Sequence, residues 1–381
     1  MARILILHAL LGDGHRRAAE ALAVALDGTA QVLVEDALDY IHPLARRLWT
    51  TGYRRLSEQA PALYKAFYRA SDAGDLQTGM SSTLRAGRLS RRYLARIDWL
   101  VASYRPDAVV CTMQFPLQLM SHMRHTRVLR APLYVVVTDY VPHGSWVAAE
   151  VERYFVPSEQ TAAGFARKGV ARRQLCVTGV PVDPELARPK SRAEARLRLG
   201  LPQNRPVLVL FGGGIKPGHL RQIAAGLLAG PLPATLVTVS GRNERMAVAL
   251  AGLQPGPEVD LVQYGAVAFV DDLVAASDLV ITKAGGLITS EVLARGRAML
   301  LTGSLPGQEE WNADFVCGVG AGVQIHTPAV VAATAFELLA WPERLAQMEA
   351  QARRVGWPQA AHKVAARILA DLDQGRREAA A

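Results

Sequence analysis

At 381 residues the chain exceeds one typical domain and suits two of roughly 150–200 residues each. No apolar run approaches the ~18 residues a membrane-spanning helix needs, and three scattered cysteines (Cys111, Cys176, Cys317) without a CxxC argue against a disulfide framework or a zinc site and for a reducing compartment. The formal net charge of +9 turns attention to anionic partners.

The apolar opening, Ile4 to Leu11, is too short for a signal peptide and reads as a buried first strand. Behind it, "LLGDGHRRAAEAL" gives Gly12-x-Gly14 and then an Ala-rich helix, the opening of a dinucleotide-binding domain. Here His15 follows the second glycine, and Arg17 stands where a third would be. An imidazole at a helix start can accept a hydroxyl proton, and the helix N-terminus would keep it neutral; a capping or core histidine fits the same position. Asp13 competes as a base, and its carboxylate could repel an anion, orient His15 or point outward.

Residues 41–105 hold twelve Lys/Arg against four Asp/Glu. Aromatics interleave: Trp49 and Tyr53 at i, i+4, then Tyr64, Phe67 and Tyr68 on one face. A bilayer interface attracts such amphipathic basic helices. A solvated helix with its rings packed inward has the same pattern, and nucleic acid ranks third because no nucleic-acid module is present. The pair His122-x-x-His125 reads as ordinary surface.

Strands are predicted at "RILILHA", "QVLVED", "DAVVCT", "LYVVVTD" and "RYFVPS", and later at "PVLVLFGG", "TLVTVSG", "DLVITK" and "AMLLTG". Continuous apolar strands separated by helices imply parallel sheets covered on both faces. Two doubly wound domains facing each other are expected, joined by the proline-rich, charged stretch before residue 206. Ligands bind outside the carboxyl ends of strands in such sheets, so function is sought there. Asp139 follows the fourth strand, where an Asx turn explains it equally well. Past residue 341 two helices break at Trp357-Pro358, the last residues from Gln374 are expected to fray, and Asp371-x-Asp373 reads as a surface pair.

In the second half, "FGGGIKPGHL" spaces Gly213 and Gly218 like a P-loop, but His219 takes the lysine position and no Ser/Thr follows. A glycine turn that lets backbone approach a phosphate remains, as does an ordinary tight turn. In "DLVITKAGGLITSEVLARG" the strand ends at Lys283, Gly285-Gly286 turns the chain, and a helix start offers free N–H groups to an anion, worth ~0.3–2 kcal/mol. Glu291, just past that start, suits a ligand with vicinal hydroxyls; a carboxylate complementing the dipole accounts for it too. "TGSLPGQEEWNADF" brings Gln308, Glu309 and Asn312 after another strand end, where they can hold sugar hydroxyls or simply cap a helix.

"TKAGGLITSE" followed by "GQEEWNA" resembles the donor site of glycosyltransferase family 28, which includes monogalactosyldiacylglycerol synthases, processive diacylglycerol glucosyltransferases and the N-acetylglucosaminyltransferase of peptidoglycan lipid intermediates. The resemblance implies the GT-B fold: two facing Rossmann-like domains with a cleft, here 1–185 for acceptor and membrane docking, a 186–205 linker, 206–356 for the donor, and a 357–381 helix crossing back. It implies Glu291 on the ribose of UDP; Gly285, Gly286, Leu287 and Ile288 at the diphosphate; Gly213, Gly214, Arg242 and Asn243 near the phosphates; Phe269 and Val270 at uracil; and Gln308, Glu309 and Asn312 at the donor sugar. Many relatives carry threonine at the position of Ile288, so that hydroxyl is missing, with Thr289 displaced by one. "GDGHRRAAEAL" resembles the family's Gly-x-Gly-His turn, implying His15 as base beside Gly14, and "TDYVPHGSW" resembles a Thr-Asp…His…Trp segment, putting Asp139, His143 and Trp146 on the acceptor side.

The resemblance thus implies an inverting, membrane-peripheral transferase on the cytoplasmic face. It moves hexose from UDP-glucose or UDP-galactose to a lipid hydroxyl, most simply diacylglycerol, with no cofactor, no metal and no nucleic acid. A polyprenyl-linked acceptor, a UDP-sugar 2-epimerase and a non-catalytic UDP-sugar sensor are the alternatives.

Overall fold

Apolar runs become strands wherever both faces can be covered. The computed structural model describes residues 1–10, 13–43, 46–47, 50–52, 60–72, 95–303 and 307–380; Gly12, Trp49, Tyr53, Arg54 and Arg55 lie outside them. The chain divides into two compact units, one of residues 1–185, 306–308 and 359–381, the other of 186–305 and 309–358.

In the first unit β1 (Ala2–His8), β2 (Ala30–Asp36), β3 (Ala108–Cys111), β4 (Leu133–Val136), β5 (Arg153–Val156) and β6 (Leu175–Val177) form one parallel sheet in the order β2-β1-β3-β4-β5-β6. Its helices are α1 (Asp13–Leu26), α2 (Pro61–Ser71), α3 (Ala95–Tyr104), α4 (Gln114–His125) and α5 (Glu159–Arg167). Successive strand residues alternate between two cores, as the pleat dictates. Leu5, Leu7, Val109 and Val135 pack with Trp146 and Phe165, whereas Ile4, Ile6, Val110 and Val136 pack with Leu22 of α1.

In the second unit β7 (Val207–Phe211), β8 (Ala234–Val239), β9 (Val259–Tyr264), β10 (Leu279–Thr282), β11 (Ala298–Leu301) and β12 (Gly322–Gln324) are likewise parallel, in the order β12-β11-β10-β7-β8-β9. Around them lie α6 (Arg192–Leu199), α7 (Pro217–Leu228), α8 (Glu244–Leu250), α9 (Val270–Ala276), α10 (Gly286–Ala294), α11 (Gln308–Gly318), α12 (Pro328–Leu339) and α13 (Pro342–Val355).

The first sheet therefore carries four strands beyond a reversal of winding and the second three. The chain goes outward from β1 to β2 and returns to β3 on the other side; it goes from β7 to β9 and returns to β10. At such a reversal the two loops leave in opposite directions and open a crevice at the strands' carboxyl ends. One crevice lies at β1/β3 and the other at β7/β10.

Three strands went unpredicted: β6, β9 and β12. All are sheet edges with partly exposed residues, so they lack the continuous apolar run that marks a central strand. At the other end of the chain α14 (Ala360–Ala380) stays helical through the residues expected to fray. It packs Val364, Ala365 and Ile368 on the β1 side of the first unit's core. Asp371 is no surface residue: its carboxylate takes a two-pronged bond from Arg153 of β5, at 2.5 and 2.9 Å.

The stretch 186–205 contains α6, closed by a Ser191–Glu194 capping box and by Gly200 in the left-handed region at φ +66°. Charged bonds tie it to its own unit. Arg196, nearly fully buried, meets Asp278, and Asp278 also accepts from the Val207 amide at 2.6 Å. Lys190 joins Asp271 at 2.5 Å, and Arg295 joins the same carboxylate. Removing one partner of a buried pair strands the other, at about 3–5 kcal/mol. Asp278→Ala should therefore destabilise the second unit by about 3 kcal/mol, read as a lowered denaturation midpoint; an unchanged midpoint would mean the pair contributes nothing.

Candidate functional site

The first crevice is built around His15, in the opening turn of α1. Its Nδ1 lies 2.8 Å from the Thr112 carbonyl and 3.1 Å from Thr138 Oγ1, and Thr112 Oγ1 returns a bond to the His15 carbonyl at 2.9 Å. Thr112 follows β3 and Thr138 follows β4, so two strand ends hold one ring. A carbonyl can only accept, so Nδ1 carries the hydrogen and Nε2 is the bare nitrogen, an assignment made from the bonding network. Burial pushes the His15 pKa down, against the opposing pull of Asp139 and of the Thr112 carbonyl. The ring is therefore neutral at pH 7 with a lone pair on Nε2.

Asp139 is almost fully buried. Its Oδ2 accepts from Trp146 Nε1 at 3.0 Å, and Gln308 Nε2, which clusters with this unit, donates to Oδ1. Trp146 is itself buried, with its ring centroid 6.3 Å from that of His15. Asp139 thus acts on His15 through its field. Asp13 points outward, its carboxylate 3.2 Å from Arg16, which also binds Glu20 at 2.6 Å. Gly14 sits half-buried between Asp13 and His15.

His143 is completely buried and engaged on both sides. Nε2 bonds the Tyr68 carbonyl at 2.9 Å, and Nδ1 accepts from the Ser145 amide at 3.1 Å. Its ring stacks on Tyr68 at 4.0 Å, while Asp72 at the end of α2 accepts from the Gly144 amide at 2.8 Å. This histidine pins α2 to the loop after β4 and keeps its nitrogens from any ligand. Tyr64 and Tyr68 are buried as well, so these two rings of the aromatic face turn inward. Among the described residues of 41–105, Leu63 of α2 and Trp99 of α3 are the large apolar side chains left exposed, at 61% and 66%.

The second crevice joins the turn after β7 to the turn after β10. Gly213 and Gly214 are exposed, and Gly214 has φ +84°, which favours glycine. In α10, capped by Gly285, the first helical bond runs from Thr289 N to the Gly285 carbonyl at 3.0 Å. The amides of Gly286, Leu287 and Ile288 are left without a helical acceptor, the standard opening for an anion. Thr289 is fully buried, and its Oγ1 has no hydrogen-bond partner among the described residues. Glu291 is a buried carboxylate on the next turn.

Asn312 is buried and donates from Nδ2 to the Ala284 carbonyl at 3.0 Å, fixing the shape of the Lys283–Gly286 turn. Glu309 is held at 2.5 Å by Lys283. Phe269 caps α9 beside Val270 and packs edge-on against Tyr264 at 5.3 Å. Arg242 is exposed next to Asn243, whose side chain caps α8. Sequence reasoning missed Thr112, Thr138 and Lys283; the first two are the residues just past strand ends.

Residues 15–182 match the family model for monogalactosyldiacylglycerol (MGDG) synthase. Over 373 residues the chain is 28% identical to the processive diacylglycerol beta-glucosyltransferase of Bacillus cereus (strain AH187), covering 97% of this chain and 94% of that protein. It is 26% identical to the Bacillus pumilus (strain SAFR-032) protein of the same name, over 91% and 89% of the two chains. Among solved structures it is similar to MurG of Acinetobacter baumannii, with a TM-score of 0.61 at 16% identity over 97% and 99% of the chains. It is also similar to a putative UDP-N-acetylglucosamine 2-epimerase of Listeria monocytogenes, with a TM-score of 0.62 at 15% identity over 99% and 97%. The fold is GT-B.

An NMR titration of the His15 ring should find Nδ1 protonated and a midpoint below the ordinary 6.5. A midpoint above it, or a hydrogen on Nε2, would overturn the assignment of Nε2 as acceptor.

Proposed function

We propose, from the premise that the chain is a relative of the family 28 glycosyltransferases, that it is an inverting hexosyltransferase taking UDP-glucose or UDP-galactose and a lipid hydroxyl, diacylglycerol, to a glycolipid. The observation that carries the reading is the His15–Thr112 bond, which orients an imidazole and leaves Nε2 basic at a β1/β3 crevice. In the reaction Nε2 takes the proton of the acceptor hydroxyl as its oxygen attacks the anomeric carbon. The bond from that carbon to the diphosphate breaks, and its electron pair leaves with UDP. Direct displacement inverts the anomeric centre. Asp139 stabilises the imidazolium that forms, buried as it is beside the ring.

The donor belongs at the β7/β10 crevice. The amides of Gly286, Leu287 and Ile288 receive the diphosphate, Glu291 receives the ribose hydroxyls, and Phe269 with Val270 receives uracil. Gly213, Gly214, Arg242 and Asn243 border the phosphates, and Gln308 and Glu309 face the sugar. Fixed dipoles supply positive charge here, so the reading requires no divalent cation.

The protein works as a peripheral one on the cytoplasmic face of the membrane. No described helix is long and apolar enough to cross a bilayer. Exposed Leu63 and Trp99 can enter the headgroup layer beside the Lys/Arg surplus of 41–105, at ~1 kcal/mol per basic residue on anionic lipid. The likeness to 2-epimerase structures keeps one competitor in the test, since that chemistry also takes a UDP-sugar but needs no acceptor.

Purified protein incubated with UDP-glucose or UDP-galactose and diacylglycerol-containing liposomes should yield glycosyl-diacylglycerol at a rate unaffected by a chelator. His15→Ala should lower that rate by about a hundredfold or more while leaving UDP affinity intact. Product on a polyprenyl carrier only, epimerised sugar nucleotide without lipid product, or binding without turnover would each replace the reading. Anionic liposomes should sediment the protein at low salt and release it at high salt, and Trp99→Ser should weaken the recruitment. Salt-insensitive binding would refute electrostatic docking.

A further inference from the structure

We infer that Lys283 is the cation that neutralises the departing diphosphate and that Glu309 stores it in position between turnovers. The inference rests on the donor-site reading above and adds a residue to it.

Lys283 directly follows β10, at the winding reversal of the second sheet. Its side chain folds back over the neighbouring turn: a Cβ built on Gly214 would come within 2.6–2.8 Å of Lys283 Cδ, Cε and Nζ. Gly214 is thus required on two counts, its positive φ and the room its missing Cβ leaves for this lysine. A Cβ on Gly285 would lie 3.8 Å from Lys283 Cε and 4.0 Å from Glu309 Oε1. The ammonium therefore sits among three elements at once: the Gly212–Gly214 turn, the open amides of α10, and the first turn of α11. These surround the place the diphosphate takes.

One of the three ammonium N–H bonds goes to Glu309, at 2.5 Å. Two are left to point at anionic oxygens, and a lysine is well suited to bind phosphate as a point charge. A half-buried Lys–Glu pair by itself contributes little to stability, because desolvation offsets the attraction. Its position at the crevice is what needs explaining. Without a counter-carboxylate the ammonium would swing to solvent in the empty site; with one, it is preorganised. When the glycosidic bond to UDP breaks, the β-phosphate oxygen gains a full negative charge. Lys283 meets that charge without giving up its proton, and stabilisation of developing charge by a fixed group is the larger part of such catalysis.

The test measures uridine and UDP affinities of the full chain by calorimetry. Lys283→Met should leave uridine affinity unchanged and lower UDP affinity by about tenfold to a hundredfold, and Lys283→Arg should restore part of it. Glu309→Gln, which keeps the ammonium and an amide oxygen to accept its N–H bond but removes the counter-charge, should lower UDP affinity less than Lys283→Met does. An unchanged UDP-to-uridine ratio in Lys283→Met would overturn the inference alone. So would an equal loss of UDP in Glu309→Gln, since the lysine would then serve only to hold Glu309; that arm decides the matter even where Lys283→Met fails to fold. A wild-type chain that binds neither uridine nor UDP would instead bring down the donor-site reading itself.

Discussion

The constraint on which everything else depends is the reversal of winding in each sheet. Parallel strands need a helix over one face or the other, and the side is chosen by the direction in which the next strand is laid. Where the direction changes, adjacent loops part, and the strand ends between them cannot be covered. In this chain that happens once per sheet, at β1/β3 and at β7/β10. His15 meets Thr112 at the first reversal, and Lys283 lies over Gly214 at the second. The candidate groups sit at the strand ends where the winding reverses.

The two crevices then solve opposite electrostatic problems with the same material. At β1/β3 a strand-end carbonyl takes the imidazole hydrogen, and burial keeps the ring neutral, so the site offers a lone pair. At β7/β10 the strand end delivers a cation, and helix amides without partners face the opening, so the site offers positive charge. A hydroxyl that must lose a proton and a diphosphate that must gain a charge are the two things such a pair can serve. Neither crevice could exchange roles. Placing Lys283 beside Asp139 would pair it off, and placing a neutral imidazole among the α10 amides would offer no charge.

Legibility from sequence followed the same physics. Central strands such as β3, β4, β7 and β10 are buried on both faces and announce themselves as unbroken apolar runs. Edge strands β6, β9 and β12 do not, because most of their residues are partly exposed. His15, the Gly285-Gly286 turn and Glu291 stood out because their spacing relative to a strand end is local information. Thr112 and Thr138 did not, since they meet His15 across 97 and 123 residues. His143 and Asn312 were visible as residues but not as what they do. Whether a polar side chain turns toward the crevice or pins the loop behind it is decided by distant partners, Tyr68 in one case and the Ala284 carbonyl in the other.

Those pinning residues explain why so many polar groups crowd positions expected to touch ligand. A crevice at a winding reversal is a gap in the packing, and the loops that border it lack a helix to rest on. Their shape must come from hydrogen bonds behind them: Asn312 on the Lys283–Gly286 turn, His143 and Asp72 on the loop after β4, Trp146 on Asp139. A donor or acceptor left unpaired in such a place would cost about as much as the bond it fails to make. The buried polar residues behind each turn are therefore as necessary to the geometry as those in front. A sequence motif at such a site does not say which side chains brace the backbone, and the bonds of His143 to the Tyr68 carbonyl and of Asn312 to the Ala284 carbonyl are what show these two doing so.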